Sequence, residues 1–279
     1  MAILLGFILL VLAAVLVAQL FYRLDKREAR RAWRTLAAQS EPAGTFDPAM
    51  IADLPEPARR YLSYAIAPGT PLLTTVELRM VGTFVLGEPA RHRILAMEAR
   101  QVLSPPHGFV WMPDIGSKII RIWGSDGYTA GRAWTRFWLW GVIPVARLAG
   151  RGDLALSAAG RAVMEAIWAP ASLLPQNGAC WQRAGEDAAR VSFKVAGREL
   201  VATLTLSGEG RPVGISAMRW SNANPQGAFR WQPFGGSIEE TGTFDGYTIP
   251  TRIEVGNHYG TKSYFPFFRA AIVEARYRR

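Results

Sequence analysis

Residues 191–217 read VSFKVAGRELVATLTLSGEGRPVGISA. Val191, Phe193 and Val195 alternate with Ser192 and Lys194, and Ala196-Gly197-Arg198 reverses the chain. Leu200, Ala202, Leu204 and Leu206 alternate with Val201, Thr203 and Thr205 as far as Gly208-Glu-Gly-Arg-Pro212, after which Val213, Ile215 and Ala217 resume the pattern. A period of two sends successive side chains to opposite faces of a strand, and short glycine-rich turns join antiparallel neighbours. Adjacent antiparallel strands are therefore expected at 191–196, 200–207 and 213–220. A parallel sheet would need crossovers of a dozen residues or more, and the spacing leaves no room for them.

The same reading extends outward. From Thr74, residues Val76, Leu78 and Met80 alternate with Glu77, Arg79 and Val81, and Gly82-Thr-Phe84 continues the strand. Further strands fit 92–102, 107–112 and 118–123, the last ending at a turn over Gly124-Ser-Asp-Gly127, and then 228–234, 237–244, 249–258 and 262–275. About ten short strands define a mainly β fold. The expected form is a curved antiparallel sheet, an open half-barrel, with bends permitted by Gly82, Gly214, Gly242 and Gly246. One apolar face of such a sheet must be covered. Ser157–Pro170 supplies the cover: a serine cap, an apolar stripe of Val163, Met164, Ile167 and Trp168, a pair at Arg161 and Glu165 four residues apart, and a proline stop. A shorter helix is expected from Leu54 to Ile66, with Pro57 in its first turn.

The first 22 residues, MAILLGFILLVLAAVLVAQLFY, contain no charged side chain. As a helix, Ala2 to Tyr22 would span about 31 Å, the thickness of a bilayer's hydrocarbon core. No basic residue precedes this run and no small-x-small exit follows it, so it reads as a retained transmembrane anchor and not as a cleaved signal peptide. Arg23–Arg34 then holds six basic and two acidic residues, +4 of a formal net charge of +10. Arg23, Lys26, Arg27, Arg30 and Arg31 are candidate contacts for lipid headgroups, and the positive flank predicts a single-pass protein of the bacterial inner membrane with its large domain in the cytoplasm. The expected division is an anchor at 1–22, a basic juxtamembrane helix and linker at 23–50, with the linker over 39–50, and the half-barrel at 51–279. Trp134, Phe137, Trp138 and Trp140 crowd four aromatic rings into seven residues, which suits either buried packing or contact with the membrane interface.

Chemistry-bearing patterns are scarce. The chain has no GxGxxG, P-loop, HExxH, GxSxG or CxxC pattern. Its single cysteine, Cys180, reads as a packed thiol and excludes an internal disulfide. Of three histidines, His92 lies at a strand start, His258 near a turn, and His107 in the turn Pro105-Pro-His-Gly108. No catalytic, metal or cofactor residue is assigned, and no nucleic-acid motif accompanies the basic charge.

Several segments resemble an uncharacterised bacterial family known only as a domain of unknown function. They are Leu54-Pro-Glu-Pro-Ala-Arg-Arg-Tyr-Leu62, Gly108-Phe-Val-Trp111, Asp126-Gly-Tyr128, Arg161-Ala-Val-Met-Glu-Ala-Ile-Trp-Ala-Pro-Ala-Ser-Leu-Leu-Pro175, Trp181 and Tyr247-Thr-Ile-Pro250. The family's fold is similar in turn to the periplasmic lipoprotein carriers, whose half-barrel has a concave face covered by helices. Carrier likeness implies acyl-chain binding, whereas the charge bias implies a cytoplasmic body. The leading expectation is a non-catalytic accessory or scaffold subunit that packs against an integral membrane protein complex. The alternatives are a lipid-binding protein, with a cavity lined by Trp111, Ile122, Trp168, Leu204, Met218 and Trp220, and an enzyme using His107 or Glu165.

Overall fold

The computed structural model describes residues 1–38, 44–117 and 119–277. Helix α1 (Ala2–Ala37) is continuous from the apolar start through the basic stretch. By length and composition its first part is able to cross a membrane, and it is not covered by the rest of the chain. Residues 39–43 of the expected linker lie outside the described residues. After them a 3-10 turn (Pro48–Ile51) is capped by Asp47, whose Oδ1 accepts from the Ala49 amide at 2.9 Å. Helix α2 (Glu56–Ala65) follows, with Pro57 in its first turn and Ala58, Tyr61, Leu62 and Ala65 on its buried face.

The body is an antiparallel sheet of thirteen strands among the described residues. Its first half contains β1 (Val76–Glu88), β2 (Arg91–Ser104), β3 (Gly108–Gly116), β4 (Arg121–Thr129), β5 (Arg132–Leu139) and β6 (Ile143–Gly150). The second contains β7 (Cys180–Arg183), β8 (Ala188–Val195), β9 (Arg198–Leu206), β10 (Pro212–Ser221), β11 (Arg230–Phe244), β12 (Tyr247–Asn257) and β13 (Phe265–Tyr277). Each half is a meander, and β1 pairs with β13 to join them. Helix α3 (Asp153–Met164) and the 3-10 turns after it carry the chain from β6 at one edge to β7 at the other, and α3 contacts strands of both halves.

The curved half-barrel is not what forms. The strand order runs from β6 to β7 as one open sheet, and neither edge pairs with the other. The glycines read as bends have other uses. A Cβ on Gly82 would lie 2.0 Å from the Arg269 carbonyl oxygen, so this glycine permits close approach of neighbouring backbones. Gly246, at φ +87°, sits in the turn between β11 and β12. The turn expected at 124–127 is strand: Gly124 pairs with Phe137, and Gly127 leaves room for the Trp134 ring, which a Cβ would meet at 2.2 Å. The strands expected at 228–234 and 237–244 are one strand, β11. Helix α3 begins at Asp153, before the expected serine cap. Cys180 is exposed on edge strand β7, because the alternation that buries Trp181 turns it outward.

Two cores flank the sheet. The larger lies on the α2 and α3 side and includes Tyr61, Leu103, Phe109, Trp168, Phe193 and Tyr247. The smaller lies between α1 and the opposite face, where Ala29 and Leu36 meet Val102, Val110 and Trp134.

Candidate functional site

Strand alternation divides the aromatic segment of β5 between these two faces. Trp134, Arg136 and Trp138 face α1. Trp134 Nε1 donates to Ser125 Oγ at 3.0 Å, Trp138 Nε1 to Asp25 Oδ2 at 3.1 Å and Arg136 Nη1 to Glu28 Oε2 at 2.7 Å. Arg147 on β6 closes on Asp25 through two hydrogen bonds of 3.1 Å. The two acidic residues of the basic stretch therefore dock α1 on the sheet. Arg23, Lys26, Arg27, Arg30 and Arg31 remain exposed along it. Trp134 and Trp138 are buried, and Trp140, at the turn after β5, is exposed.

Thr135 and Phe137, on the other face of β5, line a cavity of about 250 Å³ between the sheet and α3. Its wall is aromatic. Trp111 on β3 lies 6.0 Å from Phe84 on β1, 6.2 Å from Phe137 and 6.1 Å from Phe268 on β13, ring centre to ring centre. Phe267 links Phe84 at 5.7 Å to Phe234 at 6.1 Å. Met164, Ile167, Trp168, Ile215, Ile253 and Val255 complete the apolar lining.

The polar part of the lining is built around Arg161. Its Nε donates to Glu165 Oε1 and its Nη1 to Asp126 Oδ2, both at 2.6 Å, while its guanidinium covers the Phe109 ring at 4.4 Å. Gln101 Nε2 donates to Glu165 Oε2 at 2.6 Å, and Thr135 Oγ1 to Asp126 Oδ1 at 2.7 Å. Burial by itself would depress the Arg161 guanidinium, but Glu165 and Asp126 outweigh it and hold it above the usual arginine range. Arg219 on β10 is different. Its guanidinium lies 4.9 Å from the Phe234 ring, its Nη2 is 3.5 Å from Ser157 Oγ, and its Nε is buried without a hydrogen-bond partner among the described residues. Burial, followed by the charge of Arg161, pulls it down to about 10, against a partial counterweight from Asp126 and Glu165. Trp111 Nε1 is a second buried donor without a partner among the described residues. Trp111 and Arg219, the residues that carry these two buried N–H groups, both line the apolar cavity.

Of the six residues expected to line a cavity, the structure brings Trp111 and Trp168 together there. Ile122 and Leu204 are buried in the large core, Met218 is exposed, and Trp220 donates to Asp153 Oδ1 at 2.9 Å while packing on Phe229 and Trp231. His107 is exposed on the turn between β2 and β3, and Glu165 is engaged by Arg161 and Gln101. Among the described residues, no group of three or more His, Cys, Asp or Glu side chains is placed to hold a metal ion. Asp126 and Arg219 were readable but unread. Each is a charged residue in the inward register of its strand, Asp126 with Ile122 and Tyr128, Arg219 with Ile215.

Sheet, covering helix and cavity define an antiparallel β domain with an amphipathic pocket and an apolar N-terminal helix. The chain belongs to DUF6544, a family of unknown function, which matches residues 44–270. No curated protein matches it in sequence. Among solved structures it is similar to a LolA superfamily protein from Nitrosomonas europaea, at 11% identity and a TM-score of 0.44 over 80% of this chain and 92% of that one. It is also similar to a domain described as outer membrane lipoprotein-sorting from Vibrio parahaemolyticus, at 10% identity and a TM-score of 0.36 over 73% and 85%. A DUF1329 family protein from Desulfovibrio piger aligns at 10% identity and a TM-score of 0.31 over 74% and 86%. The cytoplasmic expectation for the body is not retained; one of the similar structures is described as an outer membrane lipoprotein-sorting domain. Asp25 and Glu28 are committed to Arg136 and Arg147 of the sheet, which leaves the basic residues of the flank exposed along α1.

Proposed function

We propose that the protein is a membrane-anchored, non-catalytic lipid-binding protein that receives an acyl chain in the cavity beneath α3. The supporting observation is an aromatic cavity with a cationic side chain, Arg219, in its wall beside the Phe234 ring. The ester or carboxyl oxygens of an acyl lipid would accept from the Arg219 guanidinium while the chain lies on the rings. The cavity has the volume of about eight water molecules at ~30 Å³ each. A methylene occupies a similar space, and each one buried contributes ~0.8 kcal/mol, so filling the cavity is worth roughly 6 kcal/mol before ordering costs. A scaffold subunit has no use for such a space, and for this reason the ligand-binding reading is preferred over docking on a membrane complex. Helix α1 would hold the domain at the bilayer that supplies the lipid.

Native mass spectrometry of the full-length protein in mild detergent tests this reading. Acyl lipid should be retained, and Arg219→Met should lower its occupancy about 10-fold through loss of one charge-assisted hydrogen bond. A wild-type protein that retains no lipid, and takes up none from added phospholipid, would refute it.

A further inference from the structure

We infer that Ile119 and Ile120, the turn 140–142 and the start of β6 form a foot that rests in the interfacial layer of the bilayer. The inference depends on α1 being the membrane anchor and adds the orientation of the body upon it. Contact between α1 and the sheet begins at the end of the apolar run. Gln19 Nε2 donates to the Gly141 carbonyl at 2.8 Å, Tyr22 meets Trp138 edge-on at 6.0 Å, and Arg147 covers the Phe21 ring at 4.9 Å. Farther along, Leu36 packs with Val102 and Val110, toward the opposite end of the strands. Helix α1 therefore runs along the outer face of the sheet, and its apolar part projects past the end that carries Ile119, Ile120 and the turn 140–142. With residues 2–22 spanning the hydrocarbon, Gly141 lies at the level of the interface.

The side chains at this end suit that position. Ile119 is 78% exposed and Trp140 51%, and Ile143 and Val145 at the start of the edge strand are exposed as well. Trp140 occupies the left-handed region at φ +52°, a strained conformation for a bulky side chain. It is held there by donation from its Nε1 to the Ile119 carbonyl at 2.9 Å, which ties the turn 140–142 to Ile119. An indole with an apolar body and a hydrogen-bonded nitrogen is the side chain favoured at the headgroup level. The patch is continuous with the anchor, so the occupant it fits is lipid. Phe84 and Phe137 lie in the half of β1 and β5 nearer this end, so the foot also brings the aromatic cavity close to the bilayer.

Depth-dependent quenching tests the foot in the full chain. In a Cys180→Ser background, single cysteines replacing Leu10, Ile119, Ile143 or Glu209 carry an environment-sensitive fluorophore, and the protein is reconstituted in phosphatidylcholine vesicles containing spin-labelled lipid. Glu209 lies in the turn between β9 and β10, at the other end of the sheet. Quenching is expected strongly at position 10, clearly at 119 and 143, and not at 209. Quenching at 10 without quenching at 119 and 143 would overturn the foot while leaving the anchor. Absence of quenching at 10 would overturn the anchor itself, and the foot with it. Retention of circular dichroism in each labelled variant shows that the fold is intact.

Discussion

Arg161 is the place where a single substitution should test the site's construction most directly. It bridges Glu165 and Asp126 at 2.6 Å each, and the three side chains are only 16%, 16% and 22% exposed. With Arg219 the cluster carries two positive and two negative charges, so it is neutral. Arg161→Met keeps much of the aliphatic stem that packs near Phe109 and Trp111, but leaves two facing carboxylates without their cation. Removing one partner of a buried ion pair costs about 3–5 kcal/mol, and partial exposure of these groups favours the lower end, about 3 kcal/mol. At 2–4 °C per kcal/mol for a domain of this size, the melting temperature should fall by roughly 6–12 °C. The double variant Arg161→Met/Glu165→Gln removes the excess charge and lets Asp126 face Arg219, so it should recover more than half of the loss. Urea unfolding in mild detergent, followed by tryptophan fluorescence, measures both variants as shifts in midpoint at constant slope. A loss below about 1 kcal/mol in the single variant, or a double variant no more stable than the single, would refute the view that charge balance holds this cluster together.

Alkaline unfolding should begin near pH 10. Burial raises Tyr247 to about 12 and also pushes Tyr61, Tyr264 and Tyr277 up. Between the unfolded value near 10 and the folded values the native state holds more protons, so stability falls as pH rises through that window. Tyrosinate absorbance should then appear in step with the loss of circular dichroism, and full ionisation of all eight tyrosines in a folded protein would exclude the burial described. Gly127→Ala should cost about 1–3 kcal/mol in chemical denaturation, because its Cβ would overlap the Trp134 ring at 2.2 Å; a neutral effect would mean that the ring has room to move.

What the sequence determined by itself was local. Alternation over 191–217 required three antiparallel strands, and β8, β9 and β10 stand there with the expected turns. An uncharged start of 22 residues required an apolar helix, and a proline in a first turn with apolar residues three or four apart required α2. Each of these rests on the period of the backbone, which the chain carries without knowledge of its neighbours. The tertiary structure alone decided how strands from distant parts of the chain meet. Pairing of β1 with β13 left β6 and β7 as free edges, and a glycine such as Gly82, which in sequence looks like a bend, serves a close approach to Arg269. The aromatic segment 134–140 is divided between two faces only because α1 packs on one side of β5 and the cavity opens on the other. Arg161 with Glu165 could be read from their spacing, since four residues make one turn of helix. Asp126, Gln101 and Arg219 join them across three different strands, and no sequence period records a distance between strands that are not neighbours in the chain.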